Sequence, residues 1–126
     1  MKQIVVFGIG RMGTAISYAM KELGYYVIGV DNSPDSADNF RKHINRDEGI
    51  FYACDDRDYK ELLVTHHSPE VVISSLPYHQ TQSLAEFCID SEIRYCDLGG
   101  KVDVSENINN YAKDHAVKPV MTDLGL

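Results

Sequence analysis

The sequence predicts an α/β fold in one domain: a six-stranded parallel sheet, doubly wound, with helices on both faces. Three observations predict it. Six apolar runs rich in β-branched residues recur roughly every 20 to 25 residues. Amphipathic stretches of helical period fill the gaps between them. The chain has 126 residues, the length of a single hydrophobic core. Strands that alternate with single helices return as parallel neighbours through right-handed crossovers, which buries both faces of the sheet. The expected strand order is 3-2-1-4-5-6.

The runs are Ile4–Phe7, Tyr26–Val30, Ile50–Cys54, Val71–Ser74, Ile93–Cys96 and Val117–Met121. After the first, Met12, Ala15, Ile16, Ala19, Met20 and Leu23 follow the i, i+3, i+4, i+7 stripe of a helix, with Gly24 as its C-terminal cap. Ser33-Pro34 reads as a cap followed by a first-turn proline, and Ala37, Phe40 and Ile44 carry one apolar face. Asp58-Tyr59-Lys60-Glu61 has the pattern of a capping box that opens a short helix through Leu62 and Leu63, stopped by Pro69. A fourth helix carries Leu84, Phe87 and Cys88, and a fifth Val104, Ile108, Tyr111 and Ala112.

Composition narrows the function classes. The chain is 44% hydrophobic and 25% charged, with a net charge of −7. That charge repels phosphate backbones and anionic lipid surfaces, so nucleic acid and membranes are not expected partners. No apolar run approaches the ~18 residues of a membrane span, and the expected location is the cytoplasm. Cys54, Cys88 and Cys96 lack paired spacing and read as free thiols. The five histidines, with His66 and His67 adjacent and His43, His79 and His115 far apart, form no metal-ligand pattern.

A doubly wound sheet binds its ligand outside the carboxyl ends of the strands, where the strand order reverses. The first such loop is Gly8-Ile9-Gly10-Arg11-Met12-Gly13, a G-x-G-x-x-G between strand and helix. In that setting Gly8 serves the tight turn, Gly10 admits a pyrophosphate to the backbone, and Gly13 permits close helix packing. Arg11, Met12 and Gly13 open the helix whose free amides would hold the phosphates. Asp31 ends the second strand 23 residues after Gly8, near the offset at which a carboxylate meets the adenosine ribose. The following Asn32-Ser33-Pro34 supplies no cation for a 2′-phosphate, so NAD is favoured over NADP in a Rossmann-type site. Asp55 and Asp56 would border the adenine, although a solvated acidic turn accounts for them nearly as well. Ser75, Leu76 and Pro77 would border the nicotinamide half. Asp97 and Lys101, at the fifth exit, are candidates for proton work, against the plainer reading of turn chemistry and a solvated lysine. Tyr78 and His79 are open to helix-start solvation. No catalytic residue is assigned.

Four segments carry a resemblance across the whole chain: the glycine loop, Val71-Val72-Ile73-Ser74-Ser75-Leu76-Pro77, Tyr95-Cys96-Asp97-Leu98-Gly99-Gly100, and Asp123-Leu124-Gly125-Leu126. Together they resemble the NAD(P)-binding domain of the saccharopine dehydrogenase family, most closely its lysine 6-dehydrogenase branch. That family often reads Asn-Ala-Leu-Pro where Ser74-Ser75 stands here. It tends to place proline and cysteine around the last aspartate, where this chain has Thr122 and Leu124. The resemblance implies oxidation of an amino acid by hydride transfer to the nicotinamide. The family continues into a substrate domain after the turn at which this sequence stops, so these 126 residues are expected to form the dinucleotide domain alone, without turnover of their own. The alternatives are an NAD-sensing regulatory domain of the potassium-transport type and a stand-alone NAD-binding protein. Homo-oligomerisation is left open.

Overall fold

Strand β1 (Gln3–Phe7) turns alternate side chains into two apolar cores, and the sheet grows outward from it. The computed structural model describes residues 2–54 and 68–124. Within them, α1 (Arg11–Glu22), β2 (Tyr26–Asp31), α2 (Ser36–Arg41), β3 (Gly49–Ala53), β4 (Val71–Ser74), α3 (Tyr78–Asp90), β5 (Tyr95–Asp97), α4 (Val102–His115) and β6 (Val120–Met121) follow β1. All pairings are parallel, in the order β3-β2-β1-β4-β5-β6. This is the order expected from the alternation of strands and helices. The capping-box segment, Asp55, Asp56, His66 and His67 lie outside the described residues.

Val5 and Phe7 join Ile28, Val30 and Val72 under α3 and α4, where Leu84, Ala85, Cys88, Ile89 and Ile108 close the first core. Ile4 and Val6 join Val27 and Ile73 on the opposite face, under Phe40, Ile44 and the partly buried Ile16 and Met20. Each fully buried aliphatic or aromatic side chain contributes about 1.5–3 kcal/mol by leaving water, which explains why β1 is apolar on both faces.

The face that α1 buries differs from the sequence expectation. Gly13 and Ser17 point at the sheet, flanked by Ile16 and Met20, whereas Met12 (54% exposed), Ala15, Ala19 and Leu23 (69% exposed) face outward. The reason lies in Gly13: a Cβ there would fall 1.7 Å from the Gly8 carbonyl oxygen, so the helix lies too close to the strand for a large residue. Ser17 fits beside it because its hydroxyl donates back to the Gly13 carbonyl at 2.7 Å.

Helix α1 ends as expected. Gly24 has φ +96°, with Gly24 N–H bonded to the Lys21 carbonyl and Tyr25 N–H to that of Met20, the Schellman arrangement. Helix α3 ends in the same bonds, but Glu92 holds the left-handed position at φ 59°. Three boundaries moved by more than one residue. The Ser33 side chain caps no helix; its carbonyl accepts from Ser36 N–H in a tight turn that precedes α2. Strand β5 begins at Tyr95 rather than Ile93, because Ile93 is drawn into the end of α3 by its N–H bond to the Cys88 carbonyl. Strand β6 is limited to Val120 and Met121, the residues in register with Tyr95 and Cys96.

Candidate functional site

The exits of β1, β2 and β4 converge at the middle of the sheet, where the strand order reverses. Gly8 turns the chain sharply at φ +86°, its N–H donating to the Val30 carbonyl at 2.8 Å. A Cβ on Gly8 would sit 2.8 Å from the Ser75 carbonyl oxygen, so the first and fourth exits touch backbone to backbone. Ser75 N–H completes the join by donating to the Phe7 carbonyl at 2.7 Å. Gly10 is different. A Cβ there would meet nothing within 4 Å, and the residue is exposed at the N-cap of α1. No side chain caps this helix and no acid lies in its first turn, so the positive end of its dipole is left uncompensated. A helix end of this kind is suited to an anion.

Asp31 reaches into the same crevice from β2. Its Oδ2 accepts the Ile9 N–H at 2.7 Å and its Oδ1 the Ser33 N–H at 2.9 Å. These bonds fix the carboxylate against the glycine loop, while its half-buried position leaves an edge open to hydroxyl donors. Asn32 is exposed beside it. At the fourth exit, Ser75 and Leu76 are half-buried and Pro77 opens α3, its carbonyl accepting from the Thr81 hydroxyl at 3.2 Å.

The fifth exit carries the polar network that sequence reasoning missed. Asp97 is 2% exposed. Its Oδ2 accepts the Tyr95 hydroxyl at 2.8 Å, and its Oδ1 accepts Gly99 N–H at 2.9 Å and Asp123 N–H at 3.1 Å. Three donors thus converge on one buried carboxylate. Burial, with the Asp97 charge beside it, pushes the Tyr95 phenol far above its ordinary range. The same two causes push the Cys96 thiol up to about 11. Lys101 is exposed, its Nζ 5.2 Å from the centre of the Tyr78 ring. The two residues border a shallow depression between the starts of α3 and α4. His79 packs edge-on against Tyr78 at 5.8 Å. The only signal for the network in the sequence was the alternation Tyr95, Asp97 on one face of a strand.

A sequence profile described as the saccharopine dehydrogenase NADP binding domain matches residues 4–121. The chain belongs to that family. Among curated proteins, none matches the sequence. In structure, the fold is similar to that of apo saccharopine dehydrogenase (L-Glu forming) from Saccharomyces cerevisiae, at TM-score 0.78 and 16% identity over 100% of this chain and 28% of the yeast chain. The WlbA dehydrogenase from Chromobacterium violaceum, in complex with NADH and UDP-GlcNAcA, matches at TM-score 0.75 and 12% identity, over 96% of this chain and 34% of that one. Scyllo-inositol dehydrogenase from Lactobacillus casei with bound NAD(H) and scyllo-inositol matches at 0.69 and 16%, over 97% and 36%. This member of the saccharopine dehydrogenase family thus shares the dehydrogenases' NAD(P)-binding fold and spans about a third of the length of these neighbours. Among its described residues no helix is long and apolar enough to cross a membrane.

Proposed function

We propose that this chain binds a nicotinamide dinucleotide across the crevice at the strand-order reversal and prefers NAD to NADP. One observation carries the proposal: the Asp31 carboxylate, anchored on Ile9 N–H beside an open helix N-terminus, is where an adenosine ribose would present its hydroxyls. In this reading Gly8, Gly10, Arg11, Met12 and Gly13 receive the pyrophosphate, and Asp31 with Asn32 holds the ribose, while Ser75, Leu76 and Pro77 border the nicotinamide half. The family description names NADP. Here a 2′-phosphate would meet the Asp31 charge, with Asn32, Ser33 and Pro34 offering no cation in return. NAD(H) bound to the scyllo-inositol dehydrogenase and NADH bound to WlbA support a dinucleotide on this fold.

We further propose that the domain serves an oxidoreductase acting on an amino acid of the lysine or saccharopine type. Family membership supports this. When bound, the nicotinamide supplies the hydride chemistry, and the residues of this chain bind and orient it. Titration calorimetry with NADH and NADPH tests the cofactor reading. The expected result is at least about tenfold tighter binding of NADH, or ~1.4 kcal/mol. Absence of binding, or a preference for NADPH, overturns it. NADH formation from lysine or saccharopine by the native protein tests the substrate class.

A further inference from the structure

Asp97 joins three chain segments that lie far apart in sequence. Its carboxylate accepts the N–H of Gly99 from its own loop and the N–H of Asp123 from the turn after β6. Its main-chain carbonyl accepts Leu124 N–H at 3.0 Å. Asp123, at φ 61°, passes the connection on, its Oδ1 accepting the Ser105 hydroxyl of α4 at 2.8 Å. Gly99 fits only because it lacks a side chain: at φ +82°, its Cβ would fall 2.1 Å from the Asp123 carboxylate. The loop after β5, the turn after β6 and the first turns of α4 are therefore keyed into one block.

The block also reaches the fourth exit. Ser74 pairs in register with Asp97 across the β4–β5 ladder. The Tyr95 hydroxyl donates to Asp97, and on β4 the Ser74 Oγ accepts Leu76 N–H at 3.4 Å. Bonds thus run from Tyr95 to Asp97 and on to Gly99, Asp123 and Ser105, while the β4–β5 ladder joins Asp97 to Ser74 and its bond to Leu76. We infer that Asp97 is a positioning residue for the nicotinamide end of the site, setting the relative heights of the Ser75–Pro77 and Leu98–Gly100 loops. It touches no ligand; it acts through Ser74, Tyr95 and Gly99. This inference rests on the dinucleotide reading. It assigns the fifth exit to orientation rather than to proton transfer.

NADH and ADP-ribose, which lacks the nicotinamide, separate this role from a merely structural one. Calorimetry on wild type and Asp97→Asn, with the fluorescence of bound NADH as a second readout, makes the test. In Asp97→Asn an amide replaces one acceptor oxygen by a donor, so the chain of bonds cannot keep its present direction. Its NADH affinity is expected to fall about tenfold, with loss of the nicotinamide fluorescence change, while ADP-ribose affinity stays within about twofold. Tyr95→Phe, which removes the hydroxyl bond to Asp97 and keeps the ring in the core, is expected to move both readouts the same way by about threefold, and it decides the matter if Asp97→Asn fails to fold. Equal losses for the two ligands, or no loss for NADH, overturn the inference. If the wild type binds neither ligand, the dinucleotide reading itself falls and the inference with it.

Discussion

Alanine at Gly13 and alanine at Gly10, three residues apart in one turn, are expected to fail in different ways. At Gly13 the added Cβ lies 1.7 Å from the Gly8 carbonyl oxygen and 2.8 Å from its carbon. Both are backbone atoms that cannot rotate aside, so α1 must retreat by roughly 1.5–2 Å, loosening Ile16 and Met20 on the sheet. Overpacking that cannot relax costs about 3 kcal/mol. With an unfolding entropy of about 2.1 cal/mol/K per residue, that cost lowers Tm by about 10 °C. At Gly10 the Cβ meets nothing within 4 Å and φ is −87°, open to any residue. Alanine is a poorer N-cap but a stiffer unfolded chain, and the two effects leave stability within about 1 kcal/mol and Tm within about 4 °C. The new methyl group stands in front of the helix N-terminus, and NADH affinity is expected to drop at least about tenfold. Calorimetric melts and NADH titrations of both variants make the comparison. Wild-type NADH affinity in Gly10→Ala would remove that glycine from the phosphate site. An unchanged Tm in Gly13→Ala would refute the close-packing argument.

Three further outcomes follow from the same geometry. Asp31→Ala removes the acceptor for the ribose hydroxyls and frees Ile9 N–H, so NADH binding weakens and discrimination against NADPH disappears; retained discrimination in paired titrations would place its source elsewhere. Glu92→Gly relieves a left-handed φ of 59° at the end of α3 and raises stability by about 1 kcal/mol, read as a Tm increase of about 4 °C. Because burial holds the Cys96 thiol near 11 in the folded state against 9.0 for an ordinary thiol, the unfolded chain ionises first. Stability contributed by Cys96 is therefore complete below about pH 9 and is lost as pH rises toward 11. Denaturant melts of wild type and Cys96→Ala should converge across that window, and parallel curves would show that the thiol is not held protonated by the fold.

Strand order was legible in the sequence, and so was the point at which that order reverses. Apolar runs at near-constant spacing leave parallel crossovers as the simplest solution, and glycines at 8 and 13 after the first run mark the close approaches that follow. Gly24 was equally readable, since a glycine after a helical stripe supplies the left-handed residue its end requires. The face of α1 was not. Period 3.6 identifies a stripe, and of the expected Met12, Ala15, Ile16, Ala19, Met20 and Leu23 only Ile16 and Met20 pack on the sheet; clearance against the Gly8 carbonyl selected Gly13 and Ser17 beside them. Nor could spacing show that Asp97 is occupied, because its partners Gly99 and Asp123 come from two loops 24 residues apart. Periodicity and turn chemistry are local properties, written into neighbouring residues. Whether a helix lies close or far, and whether a carboxylate is satisfied or free, depends on atoms brought together only when the sheet closes.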